Sequence, residues 1–156
     1  MCFLEDNIGP PSRKEIITSK PSITVTYGQY KEVGSINNKG SNRSTEASFS
    51  HSAINSRKFN PGSEISVNTL GGEVKSSIGG ELSWNKKEII SVKKTIPANK
   101  ARHLYVRDKI STAIFRHKIQ IQKLISGKWK YMGPSKTSIS KVITTTPDIK
   151  FEIKDN

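Results

Sequence analysis

The chain has a single cysteine, Cys2, in 156 residues. No internal disulfide can form, and no cysteine-based metal site can be assembled. The thiol reads as incidental rather than as a lipid anchor, because no apolar leader precedes it. Histidine is scarce as well. His51, His103 and His117 show no metal-ligand spacing to one another and no carboxylate neighbour in a ligand pattern. Each is expected to be an ordinary surface or sheet-edge side chain, and neither metal nor cofactor is expected. There is no G-x-S-x-G, no glycine loop of the Walker type and no H-E-x-x-H, so the reading is non-enzymatic. No run of 18 apolar residues occurs, which leaves no transmembrane helix.

Acidic residues are also few: 13 against 26 Lys and Arg, a net charge of +13. Such an excess attracts polyanions, whether anionic lipid head groups, acidic cell-wall polymer or nucleic acid. Arginine occurs only at 13, 43, 57, 102, 107 and 116, so bidentate reading of guanine or phosphate is not what this surface emphasises. The basic-surface candidates are Lys86, Lys87, Lys93, Lys94, Lys100, Arg102 and Arg107. Trp129, Tyr131, Tyr105 and Phe115 stand among basic residues, as in a stacking surface for nucleic acid. That reading ranks third, since no RNP-like motif or recognition helix accompanies them.

Only 33% of the residues are hydrophobic. Ser, Thr and Lys replace them, as suits strands with one wet face and protected edges. Residues 1–21 contain Gly9-Pro10-Pro11 and Lys20-Pro21 and read as a polar arm without regular structure. The remainder, 22–156, reads as one all-β domain of about nine strands with no long helix: an elongated, twisted antiparallel sheet or sandwich. Ile23, Val25 and Tyr27 open it, and a polar loop over 34–45 follows. Ala47, Phe49, His51 and Ala53 then alternate with serines, and Ile65 and Val67 start a short third strand. Between 101 and 125 the apolar parity switches near Ala113 and Ile114, which predicts a bulge or a break. Ser126-Gly127-Lys128 is expected to turn a hairpin, and the last strands run over 139–146 and 149–153.

The most informative stretch is 74–97. Val74, Ser76, Ile78, Gly80, Leu82 and Trp84 share one parity without a charge, while Lys75, Ser77, Gly79, Glu81 and Ser83 share the other. That is the period of a strand. Leu70, Val74, Ile78 and Leu82 also recur every four residues, but Gly71, Gly72, Gly79 and Gly80 would each cost a helix about 1 kcal/mol, so the strand reading is preferred. After Asn85-Lys86-Lys87, the residues Ile90, Val92 and Ile96 continue the pattern with Lys94 as an interruption, so 74–97 is expected to be a hairpin. With 9–11 residues the length of a membrane-spanning strand, the candidate insertion residues are Ile65, Val67, Val74, Ile78, Leu82 and Trp84, within a segment 45–90.

A Ser/Thr-rich strand, the glycine-interrupted amphipathic section 64–84, a strand ending in Ile96-Pro97, a polar turn and the strand containing His103-Leu104-Tyr105-Val106 together resemble the aerolysin-like β-pore-forming fold of the epsilon-toxin type. The resemblance implies an all-β module, secretion, homo-oligomerisation on a target membrane and a central segment that leaves the sheet as a transmembrane hairpin. No secretory leader is visible, because residues 1–4 run directly into Glu5 and Asp6. The expectation is a secreted protein whose leader has been removed, with a cytoplasmic one as the alternative. The alternative function is a basic binding or structural module for acidic polymer, glycan or protein.

Overall fold

The computed structural model describes residues 11–155, and over 68–73 of its helix the backbone alone. Cys2 lies outside the described residues. The elements are β1 (Ser12–Thr18), β2 (Ser22–Tyr27), β3 (Lys31–Asn37), β4 (Thr45–Asn60), α1 (Val67–Ile78), β5 (Trp84–Ile96), β6 (Ala101–Ile125), β7 (Lys128–Tyr131) and β8 (Lys136–Lys154). The eight described strands form one sheet with the path β1-β6-β8-β4-β5, and β2, β3 and β7 also pair with β6. Among the described residues the protein is all-β apart from one helix.

β6 is the spine. Its partners are antiparallel: β3 meets 101–106, β1 meets 117–123 and β7 meets 122–125. Gln122 faces both Arg13 and Tyr131, so β1 and β7 flank the same stretch from opposite sides. By internal packing the chain divides into two units. The first comprises 1–22, 60–80 and 113–141; the second comprises 23–59, 81–112 and 142–156.

In the first unit β6 turns Ala113, Phe115, His117 and Ile119 inward, and Val74 of α1 and Ile65 are buried with them. In the second unit the core holds Phe49 and Ala53 of β4, Ile96 of β5, Ala101 and Leu104 of β6 and Val142 of β8. Phe49 packs edge-on to Phe151 with ring centroids 5.2 Å apart. The expected parity switch in β6 is present as a change of buried parity between Leu104 and Ala113, and the strand carries it without a break.

Several expectations need correction. The stretch 74–84 is not a strand: Val67–Ile78 is helical, and Ile65 and Val67 form no third strand. The glycines counted against the helix include the pair that ends it. Gly79 (φ 68°) donates its amide to Lys75 O at 2.8 Å, a left-handed C-terminal cap. The every-fourth-residue apolar pattern prevails because it carries Val74 to full burial, which outweighs the propensity cost of Gly71 and Gly72. The hairpin partner of β5 is therefore β4, paired from Thr45↔Ile96 to Arg57↔Trp84. Within the arm over 1–21, residues 12–18 form β1, because Ile16 and Ile17 pair with Ile119 and Lys118. The polar loop is shorter than expected, since β3 reaches Asn37, and β8 runs through Pro147 without interruption.

Candidate functional site

β4 and β5 pair continuously from Thr45↔Ile96 to Arg57↔Trp84. Their register places Ala47, Phe49, His51 and Ala53 opposite Lys94, Val92, Ile90 and Glu88, while Ser48, Ser50 and Ser52 lie opposite Lys93, Ser91 and Ile89. One face is inward and mainly apolar; the other is exposed and rich in serine. β5 ends the sheet path, with β4 its neighbour there. Exposed Lys87 and Lys93 on β5 suit an edge strand, where lysine discourages strand addition. Lys94, which interrupted the apolar pattern, keeps its stem on the inner face and sets its ammonium 5.0 Å from the Phe151 ring centre, a cation–π contact that offsets its partial burial.

At the base of this pair Arg57 donates to Thr144 Oγ1 (2.9 Å) and to Glu81 O (3.1 Å). Arg57 and Lys86 both stand 5.5 Å from the Trp84 ring centre. The chain that leaves β4 and returns to β5 contains α1.

In the first unit, hydrogen bonds hold this connector. The Gly62 amide donates to Ser140 Oγ (2.9 Å), Ser140 Oγ lies 2.8 Å from His117 Nε2, and His117 Nδ1 lies 2.9 Å from Thr18 Oγ1. With its proton on Nδ1, the ring donates to Thr18 and accepts from Ser140, so one tautomer satisfies the chain. Ser138 Oγ donates to Ser63 O (2.9 Å), and Glu64 pairs with Lys136 at 3.6 Å. His117 is thus no surface histidine: it is 1% exposed and Ser140 is fully buried. Thr18, Gly62, His117 and Ser140 come from four separate stretches of sequence, and no local pattern joins them.

The candidate insertion residues are dispersed in this state. Ile65, Val74 and Leu82 are buried, Ile78 and Trp84 are half-buried, and Val67 is exposed. The basic candidates are not one patch either. Lys86, Lys87, Lys93 and Lys94 share β5, whereas Lys100 pairs with Asp155. Arg102 has a buried Nε with no hydrogen-bond partner among the described residues.

Arg107 is engaged: Nε donates to Asp148 at 2.6 Å and the guanidinium lies 4.0 Å and 4.4 Å from the Tyr27 and Tyr30 ring centres. Lys150 continues the stack at 4.3 Å from Tyr30. The hydrogen bond from Arg107 holds the Asp148 carboxyl below its usual range; burial pushes it up by less than that, and the Tyr30 hydrogen bond adds a smaller downward pull. A carboxyl depressed in the folded state stabilises above its unfolded value of about 3.9 and loses that contribution as pH falls through the lower folded value. Asp148→Asn is therefore expected to be less stable than the wild type at pH 7. The difference should narrow as pH falls through the carboxyl's lowered folded value, as read from urea unfolding across pH.

No protein-family model matches the chain, and no curated protein matches it. Among solved structures, a candidate pore-forming toxin of Bacteroides vulgatus superposes with a TM-score of 0.52 at 10% identity, covering 90% of this chain and 57% of the other. The chain thus spans little more than half the length of that protein. The parasporin-2 toxin of Bacillus thuringiensis aligns with a TM-score of 0.43 at 13% identity, over 91% of this chain and 72% of the toxin. The strand pattern read from the sequence and the superposed sheet agree: the protein has an all-β, aerolysin-like fold shared with the Bacteroides structure.

Proposed function

We propose that the protein is secreted and acts without enzymatic chemistry on anionic membranes, where copies associate and the segment linking β4 to β5 inserts as a transmembrane hairpin. The observation that carries this reading is the β4–β5 register. From Thr45↔Ile96 to Arg57↔Trp84, each step along β4 is matched by one step back along β5. Continued past Arg57 and Trp84, the same register sets Phe59 opposite Leu82, Ser63 opposite Ile78, Ile65 opposite Ser76 and Val67 opposite Val74, and closes on a two-residue turn at Leu70-Gly71.

In that hairpin the six candidate insertion residues, Ile65, Val67, Val74, Ile78, Leu82 and Trp84, fall on one face together with Phe59, and the one charge on it is Arg57, opposite Trp84 at the base. Lys58, Glu64, Lys75 and Glu81 fall on the other, as suits a lumen. Each extension is about 12 residues long, enough to span a bilayer as a tilted strand of 9–11 residues. Trp84 sits at one end, at the level of an interfacial aromatic. Pro61 removes one ladder bond near the base, a cost confined to one pair. The α1 sequence thus has two uses: its four-residue period packs Val74 in the soluble fold, and its two-residue period makes a lipid face.

Position in the sheet supports the same reading. A β4–β5 pair at the end of the path is held along one further ladder, to β8, so it can separate without unzipping the other strands. Exposed Lys87 and Lys93 supply attraction to an anionic surface.

The test is dye release from liposomes containing anionic lipid, at low and high salt. Release that depends on anionic lipid and weakens with salt, with an oligomer recovered from the vesicles, is the expected result. No release and no oligomer under any condition would overturn it. Salt-sensitive retention on acidic wall polymer without leakage would favour a binding module of the same fold.

A further inference from the structure

We propose a second site in the first unit: a cavity that takes the chain of a medium-length fatty acid, with its carboxylate among lysines. The cavity measures about 220 Å³ and is lined by Glu64, Ile119, Ile121, Met132, Pro134 and Lys136. Four of these six are apolar, and the charged pair, Glu64 with Lys136 at 3.6 Å, is exposed to solvent. Ile121 and Met132 are 42% and 41% exposed, an unusual state for neighbouring large apolar side chains joined by a Met132 N–H to Ile121 O bond of 2.8 Å.

Charge selects the occupant. Lys14 is the direct cross-strand partner of Ile121, and Lys123, next on the same face of β6, is opposite both Ser12 and Lys130. Partners across a ladder share a face, so Lys14, Lys123 and Lys130 share the face of Ile121, and Lys136 lines the cavity itself. Glu15 alternates to the other face, where it accepts from Gln122 and Tyr131. An inorganic anion would gain nothing from the isoleucines, and a cationic amphiphile would be repelled. The volume is below the roughly 300–1,000 Å³ of pockets for drug-sized ligands, which fits one unbranched chain better than a two-chain lipid.

Glu64 adds a second observation. It holds φ 65°, a left-handed conformation disfavoured for a residue with a side chain, and such strain concentrates at ligand sites. A fatty carboxylate would compete with Glu64 for Lys136 and leave the rest of the fold in place. This site does not depend on membrane insertion, since the cavity is present in the soluble protein.

The test is calorimetric titration of the full chain with laurate below its micelle concentration, alongside dodecanol and dodecyltrimethylammonium. Laurate should bind at least about tenfold more tightly than dodecanol, the scale of one charge-assisted contact, and the ammonium should not bind. Ile121→Asp should abolish binding and Lys136→Gln should weaken it about tenfold. Ile17→Asp, on the opposite face of β1, should leave it unchanged. Equal affinity for laurate and dodecanol, or full binding by Lys136→Gln, would overturn the proposal. So would an Ile121→Asp protein with an intact thermal transition that still binds.

Discussion

Gly62→Ala is expected to lower the stability of the soluble protein by about 2–4 kcal/mol, a fall of about 5–15 °C in Tm. A Cβ at this position would lie 2.1 Å from Ser138 Oγ, 2.7 Å from Ile139 O and 2.9 Å from Ile139 C. The hydroxyl can rotate away, but the Ile139 backbone belongs to β8 and cannot yield without disturbing its ladder. The connector must then lift, and the Gly62 amide loses Ser140 Oγ. That leaves the Gly62 amide without its acceptor, while Ser140 and His117 keep each other. Gly28→Ala is the control: its Cβ would meet the Asp108 backbone at 3.7 Å, ordinary contact, and the shift should stay within about 0.5 kcal/mol. Thermal and urea unfolding measure both.

The second large effect has opposite signs in two assays. Gly79 closes α1 with φ 68° and has open space around the position of a Cβ, so Gly79→Thr meets no clash. It forces a β-branched residue into the left-handed region, at about 1–2 kcal/mol, while threonine favours a strand. The soluble protein should lose that amount. In the proposed hairpin Gly79 lies on the polar face, opposite Gly62, where threonine is well suited. If unwinding α1 limits insertion, dye release should accelerate by up to about tenfold, since 1.36 kcal/mol off a barrier is a factor of ten. A variant less stable and no faster would mean that unwinding α1 does not limit insertion.

Much of the fold was legible in the residues. The strands over 23–27 and 47–53, the hairpin at Ser126-Gly127-Lys128 and the parity switch in β6 all follow from alternation and turn chemistry. The main error lay at 74–84, where two periodicities coexist in one stretch. Glycine propensity favoured the strand, and tertiary burial of Val74 favoured the helix; burial prevailed because a fully buried apolar side chain outweighs the penalties of Gly71 and Gly72. Lys94 looked like a flaw in a face until the Phe151 ring, more than fifty residues away, gave it a partner. The Thr18, His117, Ser140 and Gly62 chain was illegible for a similar reason. Each residue is ordinary in its own stretch, and only the fold brings the four together. The cavity beside Ile121 depends in the same way on β1, β6 and the turn after β7 meeting.

The central claim is that residues 74–84, which include the last turn of α1 and the turn that follows it in solution, are extended throughout in the membrane. It is tested most directly by placing single cysteines at each of these positions in a Cys2→Ser background and labelling them with an environment-sensitive dye. On anionic liposomes, emission should move to the blue at 74, 76, 78, 80, 82 and 84 and stay unchanged at 75, 77, 79, 81 and 83, a period of two. A period near 3.6 residues, or no change at any position while the protein is membrane-bound, would contradict it.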